Sequence, residues 1–171
     1  MKLTNVVYQG KMNCEINLKD LTQNLTNIRY DPRTFPGVIY QNRKIGGNCL
    51  IFSNGKINCN GYCENFMLGR KRLRQYARII QKLGYTVTLT KVRLVTASAV
   101  HKLSGRVNVN TLSRFFTCSY DPELFPAVMF RRKGIHFTCH LKGTILITGI
   151  KRARNIDDIV YPALVEIETC L

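Results

Sequence analysis

Cysteine and histidine are the residues of this chain best suited to metal or nucleophilic chemistry, and it holds seven of the first and three of the second. Cys59 and Cys63 are separated by three residues and Cys139 abuts His140. Structural zinc sites usually include a closer Cys-x-x-Cys pair, and none exists here. The odd cysteine count, and an amino terminus (Met1, Lys2, Leu3, Thr4, Asn5) without a secretory apolar stretch, favour free thiols in a soluble intracellular protein. Glu15, Asp20, Glu64, Asp157 and Asp158 show no paired spacing for acid–base work, and the histidines all fall in the second half. No phosphate-binding glycine loop or nucleophile elbow is visible. The expectation is a protein that is not an enzyme, with no metal and no cofactor.

Binding chemistry remains. Lys and Arg number 26 against 10 acidic residues, giving +16 and a pI near 9.9. That balance attracts a polyanion. Residues 1–89 hold 14 basic and 4 acidic side chains, and residues 90–171 hold 12 and 6, so the first half carries the stronger field. No apolar run reaches the ~18 residues of a membrane span, and no membrane role is expected.

The elements that must position such a surface are written twice. "YDPRTFPGVIY" at 30–40 and "YDPELFPAVMF" at 120–130 agree at six of eleven positions: Tyr, Asp, Pro, Phe, Pro and Val. Asn5-Val6-Val7 is matched with Leu94-Val95-Thr96, and Gly55-Lys56-Ile57 plus Gly61 with Gly143-Thr144-Ile145 plus Gly149. An internal repeat dictates architecture, here repeats over 1–89 and 90–171 in one intimate unit. Short strands are expected at 38–40, 48–52, 56–59, 128–130, 135–140 and 144–147, with tight turns at Ser53-Asn54-Gly55 and Lys142-Gly143. Leu73, Tyr76, Ala77, Ile80 and Leu83 form one helical stripe that Gly84 stops. Ile156, Ile159, Val160, Ala163, Leu164 and Ile167 form a second, in which Pro162 should kink the helix or set its last turn. Shorter helices are expected after Asn17 and after Asn110, the latter carrying Leu112, Phe115 and Phe116. The class is α+β: helices on one face of a sheet, the other face open for a partner.

Several segments in this order resemble the TATA-binding protein family: "LIFSNGKINCNG" (50–61), "RQYARIIQKLGY" (74–85), "SYDPELFPAV" (119–128) and "ITGIK" (147–151). The resemblance spans residues 3–168 and implies a pseudo-twofold saddle, one curved ten-stranded antiparallel sheet with four helices on its convex face. It implies a minor-groove DNA-binding and bending general transcription factor that nucleates a preinitiation complex in the nucleus, or in a viral factory if the source is viral. Phe35 and Phe125 are the implied wedges into base steps, with Phe52 and His140 as their partners; His140 stands where the family has phenylalanine. Asn5, Val7, Leu50, Asn58, Asn60, Leu94, Thr96, His136, Thr138, Leu146 and Thr148 are the implied groove-facing positions. Arg43, Lys56, Arg131 and Lys151 are the implied phosphate contacts, with Arg132 and Lys133 nearby.

Asn58 and Asn60 replace valine and threonine of the family pattern, Leu94 replaces asparagine, and Thr96, His136 and Thr138 replace mostly apolar residues. Guanine adds an amino donor to the minor groove. Acceptors at Asn58, Asn60 and the histidines therefore predict a relaxed preference for TATA, in the manner of the divergent TATA-binding-protein-like factors. Arg70, Lys71, Arg72, Arg74, Arg78 and Lys82 imply a docking surface for general factor IIA, and Asp121, Glu123 and Leu124 one for general factor IIB. The expected partners are thus double-stranded DNA and these two factors, with a monomer on DNA and a homodimer as the alternative state off it. The competing reading is a divergent saddle that serves mainly as a protein adaptor and binds DNA weakly or not at all.

Overall fold

A computed structural model describes all residues 1–171. The chain divides into two compact units, Asn5–Val95 (the amino-terminal unit) and Thr96–Leu171 with Met1–Thr4 (the carboxyl-terminal unit). Its nine strands are β1 (Lys2–Lys11), β2 (Ile28–Arg29), β3 (Val38–Tyr40), β4 (Asn48–Ile51), β5 (Lys56–Asn60), β6 (Thr90–Lys102), β7 (Ala127–Arg132), β8 (Ile135–His140) and β9 (Thr144–Ile150). The four helices are α1 (Leu18–Asn24), α2 (Phe66–Lys82), α3 (Val109–Phe115) and α4 (Tyr161–Glu168). Strand neighbours run β2-β3-β4-β5-β1 in the first repeat and β6-β9-β8-β7 in the second, antiparallel at every one of these pairings.

The fold class is α+β as expected, with nine strands in place of ten. In the first repeat, β2 pairs Arg29 with Ile39. At the equivalent place in the second, only a single bridge survives, Ser119 to Met129.

Alternation governs both units. Cys49, Ile51, Ile57 and Cys59 point inward and share a core with Leu73, Tyr76, Ala77 and Ile80 of α2 and Leu18 and Leu21 of α1. Leu50, Asn58 and Asn60 between them stay partly exposed, as a sheet covered on one face requires. In the carboxyl-terminal unit Ile135, Phe137, Cys139, Ile145 and Ile147 are buried. There Phe137 stacks on Phe130 at 4.8 Å and Phe130 on Phe116 at 4.1 Å.

The helix ends follow local chemistry. Asn17 Oδ1 caps α1 by accepting from Asp20 N at 3.2 Å, and Leu83 closes α2 just before Gly84. In the second repeat the cap is Asn108, whose Oδ1 accepts from Asn110 N and Thr111 N. Asn110, read as the cap from sequence, lies inside α3, and Phe115 is 54% exposed while Phe116 is buried. Pro162 does not set the final turn of the last helix: it occupies the first turn of α4. A π-helical turn over Ile156–Val160 leads into it.

The seven cysteines are free thiols. Cys139 and His140 are consecutive strand residues and so face opposite sides of the sheet. Burial pushes the Cys139 thiol up to about 12 and holds Cys49, opposite Cys59, well above its ordinary range.

Two close approaches decide residue choice near the open face. A Cβ on Gly47 (φ 64°) would sit 2.3 Å from the Asn60 carbonyl oxygen and 2.8 Å from Arg72 Nη1. We expect Gly47→Ala to destabilise by about 2–4 kcal/mol, read as a lower urea midpoint at unchanged m-value. At Gly37, extending the β3–β4 register places Phe52 directly opposite, and a Cβ would fall 2.9 Å from the Ile51 carbonyl oxygen and 3.1 Å from both Phe52 and Phe35. The second repeat pairs Ala127 with the smaller His140 at this point, so one position grew as its partner shrank. Gly37→Ala should therefore cost about 1–3 kcal/mol, and Phe52→His in the same chain should recover part of that loss; purely additive denaturation midpoints would refute the packing account.

Candidate nucleic-acid interface

Each repeated Asp-Pro segment folds into the same turn. The Asp31 carbonyl accepts from Thr34 N at 3.0 Å and Phe35 N at 3.0 Å; the Asp121 carbonyl accepts from Leu124 N at 3.2 Å and Phe125 N at 2.9 Å. The Asp31 carboxylate takes Arg33 N at 3.1 Å, and that of Asp121 takes Glu123 N at 3.2 Å. Proline next in sequence presets its own φ, and the aspartate side chain stands in for a backbone acceptor. The aromatic residue after each turn is thereby held by three hydrogen bonds it does not make with its ring. Phe35 meets Phe52 edge-on at 5.6 Å and 63°, and Phe125 meets His140 at 5.8 Å and 65°. Phe125 remains 40% exposed.

The open face of the amino-terminal unit is a row set by register. Arg29 pairs with Ile39, Ile39 with Leu50, Leu50 with Asn58, and Asn58 with Gln9. Asn5, Val7 and Gln9 alternate along β1 with the buried Val6 and Gly10. Amides link much of this surface. Gln41 Nε2 donates to Asn48 Oδ1, Asn48 Nδ2 donates to Asn60 Oδ1 at 3.3 Å, and Asn5 Oδ1 accepts from Gly61 N at 2.8 Å. Asn58 Oδ1 is buried without a partner.

In the carboxyl-terminal unit the corresponding row runs Met129, Thr138, Leu146, Val100. Beside it, His136 lies between Arg131 and Thr148, and Arg131 Nε donates to His136 Nδ1 at 3.2 Å. Leu94 and Thr96 share the alternation of Val100 on β6, and Met129 and Leu146 are 41% and 42% exposed. Tyr8 opposes Cys59 and Ala99 opposes Ile147; a register shift lies between Ala97 and Ala99, so Leu94 and Thr96 lie beyond an irregularity in the pairing of β6 with β9. Sequence reasoning also missed Ile39, Gln9, Met129 and Val100. Their period-two spacing from Leu50, Asn58, Thr138 and Leu146 becomes informative only once register is known.

Around these faces the charges sort by element. Arg43, Arg131 and Lys151 are exposed and Lys56 is half-buried. Lys133 is exposed, whereas Arg132 turns to the helix side, bonding Glu166 at 2.8 Å and lying over the Phe116 ring at 5.8 Å. On α2, Arg70, Lys71, Arg74, Arg78 and Lys82 are exposed. Arg72 does not belong with them. It is 9% exposed, three residues after buried Gly69 and four before buried Tyr76. Its Nη2 donates to the Tyr62 carbonyl while its Nη1 lies buried and unpaired. Asp121, Glu123 and Leu124 are exposed, Leu124 by 83%. The first-repeat turn lacks that acidity because Arg33 pairs with Asp31 at 3.1 Å and holds its carboxyl below the ordinary range.

Geometry and sequence can now be set beside known proteins. A family model described as transcription factor TFIID, or TATA-binding protein, matches residues 1–83. The TATA-box-binding protein of Acanthamoeba castellanii is 32% identical over 96% of this chain and 66% of its own length. That of Acetabularia peniculus is 31% identical over 96% of this chain and 90% of its own. The chain spans about half the length of other relatives it matches. In fold, it superimposes on the Methanococcus jannaschii TBP with a TM-score of 0.77 at 22% identity, covering 98% of each chain. With paired Phe-bearing turns, a half-covered sheet and identity extending over nearly the whole of a relative, the chain belongs to the TATA-binding protein family.

Proposed function

We propose that this chain is a general transcription factor that binds and bends DNA through its minor groove, acts in the nucleus, and prefers TATA sequences only loosely. The observation that carries this reading is the doubled turn: two phenylalanines, each fixed by an Asp-Pro turn and backed edge-on by an aromatic ring of the open face. An apolar ring pushed between base pairs unstacks one step at a cost of a few kcal/mol and bends the duplex, so that more protein surface is wrapped. This family is itself the type case for that mechanism, so the family supplies the mechanism and the geometry supplies the candidates, Phe35 with Phe52 and Phe125 with His140.

Affinity and bending have separate sources. The +16 charge releases counterions from phosphates whatever the sequence, with Arg43, Lys56, Arg131 and Lys151 as the contacts. The wedges contribute only where a step can open. Asn5, Val7, Leu50, Asn58 and Asn60, together with Leu94, Thr96, His136, Thr138, Leu146 and Thr148, then meet the groove floor. Partner docking uses other surfaces. The exposed basic side chains of α2 suit an acidic partner such as general factor IIA. The acidic second turn with Leu124 suits general factor IIB and distinguishes that turn from the first, where Arg33 neutralises the aspartate.

Energy transfer across an end-labelled duplex tests the reading. Sharp bending on a TATA site that survives moderate salt is expected; salt-sensitive binding without bending or preference would instead support an adaptor that relies on its partners for DNA. Phe35→Ala/Phe125→Ala should abolish the bend while leaving low-salt binding, and unchanged bending in that variant would remove the wedge mechanism. Glu123→Arg should weaken factor IIB recruitment by about tenfold or more with duplex affinity nearly intact; equal loss of both would refute the division of roles.

A further inference from the structure

The amides on the open face of the amino-terminal unit are directional. Asn5 Oδ1 accepts from Gly61 N at 2.8 Å, so the amide's donor, Nδ2, is the end without a protein hydrogen bond. The chain from Gln41 through Asn48 ends on Asn60 Oδ1, leaving Asn60 Nδ2 as its free end. Gln9 Oε1 accepts from Arg93 Nη2 at 2.9 Å, leaving Nε2. All three present N–H donors. Adenine N3 and thymine O2 accept such bonds, whereas the guanine amino group meets them donor to donor.

Asn58 is different. Its Oδ1 is buried with no partner and no side-chain hydrogen bond holds its amide. Rotating that amide by half a turn breaks no protein hydrogen bond and exchanges an outward donor for an outward acceptor. Across the strands it is flanked by apolar Leu50 and by Gln9, whose acceptor is already used. We infer that Asn58 is the specificity-relaxing residue of this face: it accepts the guanine amino group at one base pair, while Asn5, Asn60 and Gln9 hold their base pairs to A·T. Relaxed TATA preference then resides at a single step. Asn60 does not share in it, contrary to the sequence expectation, because the bond from Asn48 Nδ2 to its Oδ1 fixes the direction of its amide, and turning it would break that bond. His136, whose Nδ1 accepts a hydrogen bond from Arg131 Nε, likewise offers only its other nitrogen, as a donor. This inference rests on the minor-groove reading above.

The test is a guanine scan through an A·T-rich duplex, read by fluorescence anisotropy on the whole chain. Inosine·C replaces G·C to delete the amino group, and 2,6-diaminopurine·T replaces A·T to add it. Wild-type protein should lose roughly tenfold in affinity at each guanine under this unit except one, where the loss is below about twofold. Inosine should erase the penalties and diaminopurine reproduce them. Asn58→Val should restore a roughly tenfold penalty at the tolerated step, and Asn60→Val should leave that tolerance in place. A uniform guanine penalty in the wild type, or a tolerant step that persists in Asn58→Val, overturns the inference while minor-groove binding stands. Failure to bind the unmodified A·T duplex at any salt overturns both.

Discussion

Everything that faces outward on these sheets is held there by what faces inward. A strand has a side-chain period of two, so a slip of one residue along β5 would turn Ile57 and Cys59 to solvent and bury Asn58 and Asn60. At ~25 cal/mol per Å² of apolar surface returned to water, even two such side chains cost several kcal/mol, and the newly buried amides would add their own desolvation. The open face therefore needs no interaction of its own to stay in register. It is free to carry polar groups that contribute nothing to folding, and Asn58, with a buried acceptor and no partner, is the extreme of that freedom.

The turns obey a second constraint, local where the first is cross-strand. Asp31 and Asp121 each satisfy backbone donors with carbonyl and carboxylate alike, so the following phenylalanine is placed without packing that would hide it. Divergence between repeats has then gone where these constraints permit. Phe52 and His140 differ, but Gly37 and Ala127 change with them in the opposite sense of volume. The position after the proline differs too, Arg33 closing an ion pair and Glu123 leaving its charge open, and the turn geometry is indifferent to which.

This explains which features could be read from sequence. Periodicity and repetition are properties of a single chain segment, so the α2 stripe from Leu73 to Ile80, the short strands β3, β4, β5, β7 and β8 and the doubled Asp-Pro turn were legible within a residue or two, whereas β9 runs three residues past its expected end and the extent of the long β6 was not legible. What failed depended on a partner elsewhere in the chain. Arg72 reads as one more basic residue on a basic helix until Gly47 and Gly61 show the space its guanidinium fills. Arg132 and Arg131 are neighbours in sequence on opposite faces of β7, one bonded to a helix glutamate and the other to an open-face histidine. Asn108 and Asn110 are equally good caps by type, and only the start of the turn chooses between them. The lost tenth strand and the register shift between Ala97 and Ala99 are both matters of pairing, which composition does not encode.

In the proposed function, charge and shape divide the labour of recognition in a way the two repeats make visible. Fourteen of the 26 basic residues lie in the first 89 positions, where the open face carries amides whose direction is fixed by internal hydrogen bonds. The second repeat has a more apolar row, Met129, Leu146 and Val100 with a single threonine. Electrostatic attraction cannot tell one end of a duplex from the other, because the phosphate array looks alike from both. On the proposed minor-groove reading a face rich in amide donors and a more apolar one can, since a donor meets the guanine amino group unfavourably. An internally repeated protein that sits on DNA as proposed gains a direction from residues in which its repeats differ, and such differences lie here on the open faces, Asn58 against Leu146 and Asn60 against Thr148, and on the turns, Arg33 against Glu123.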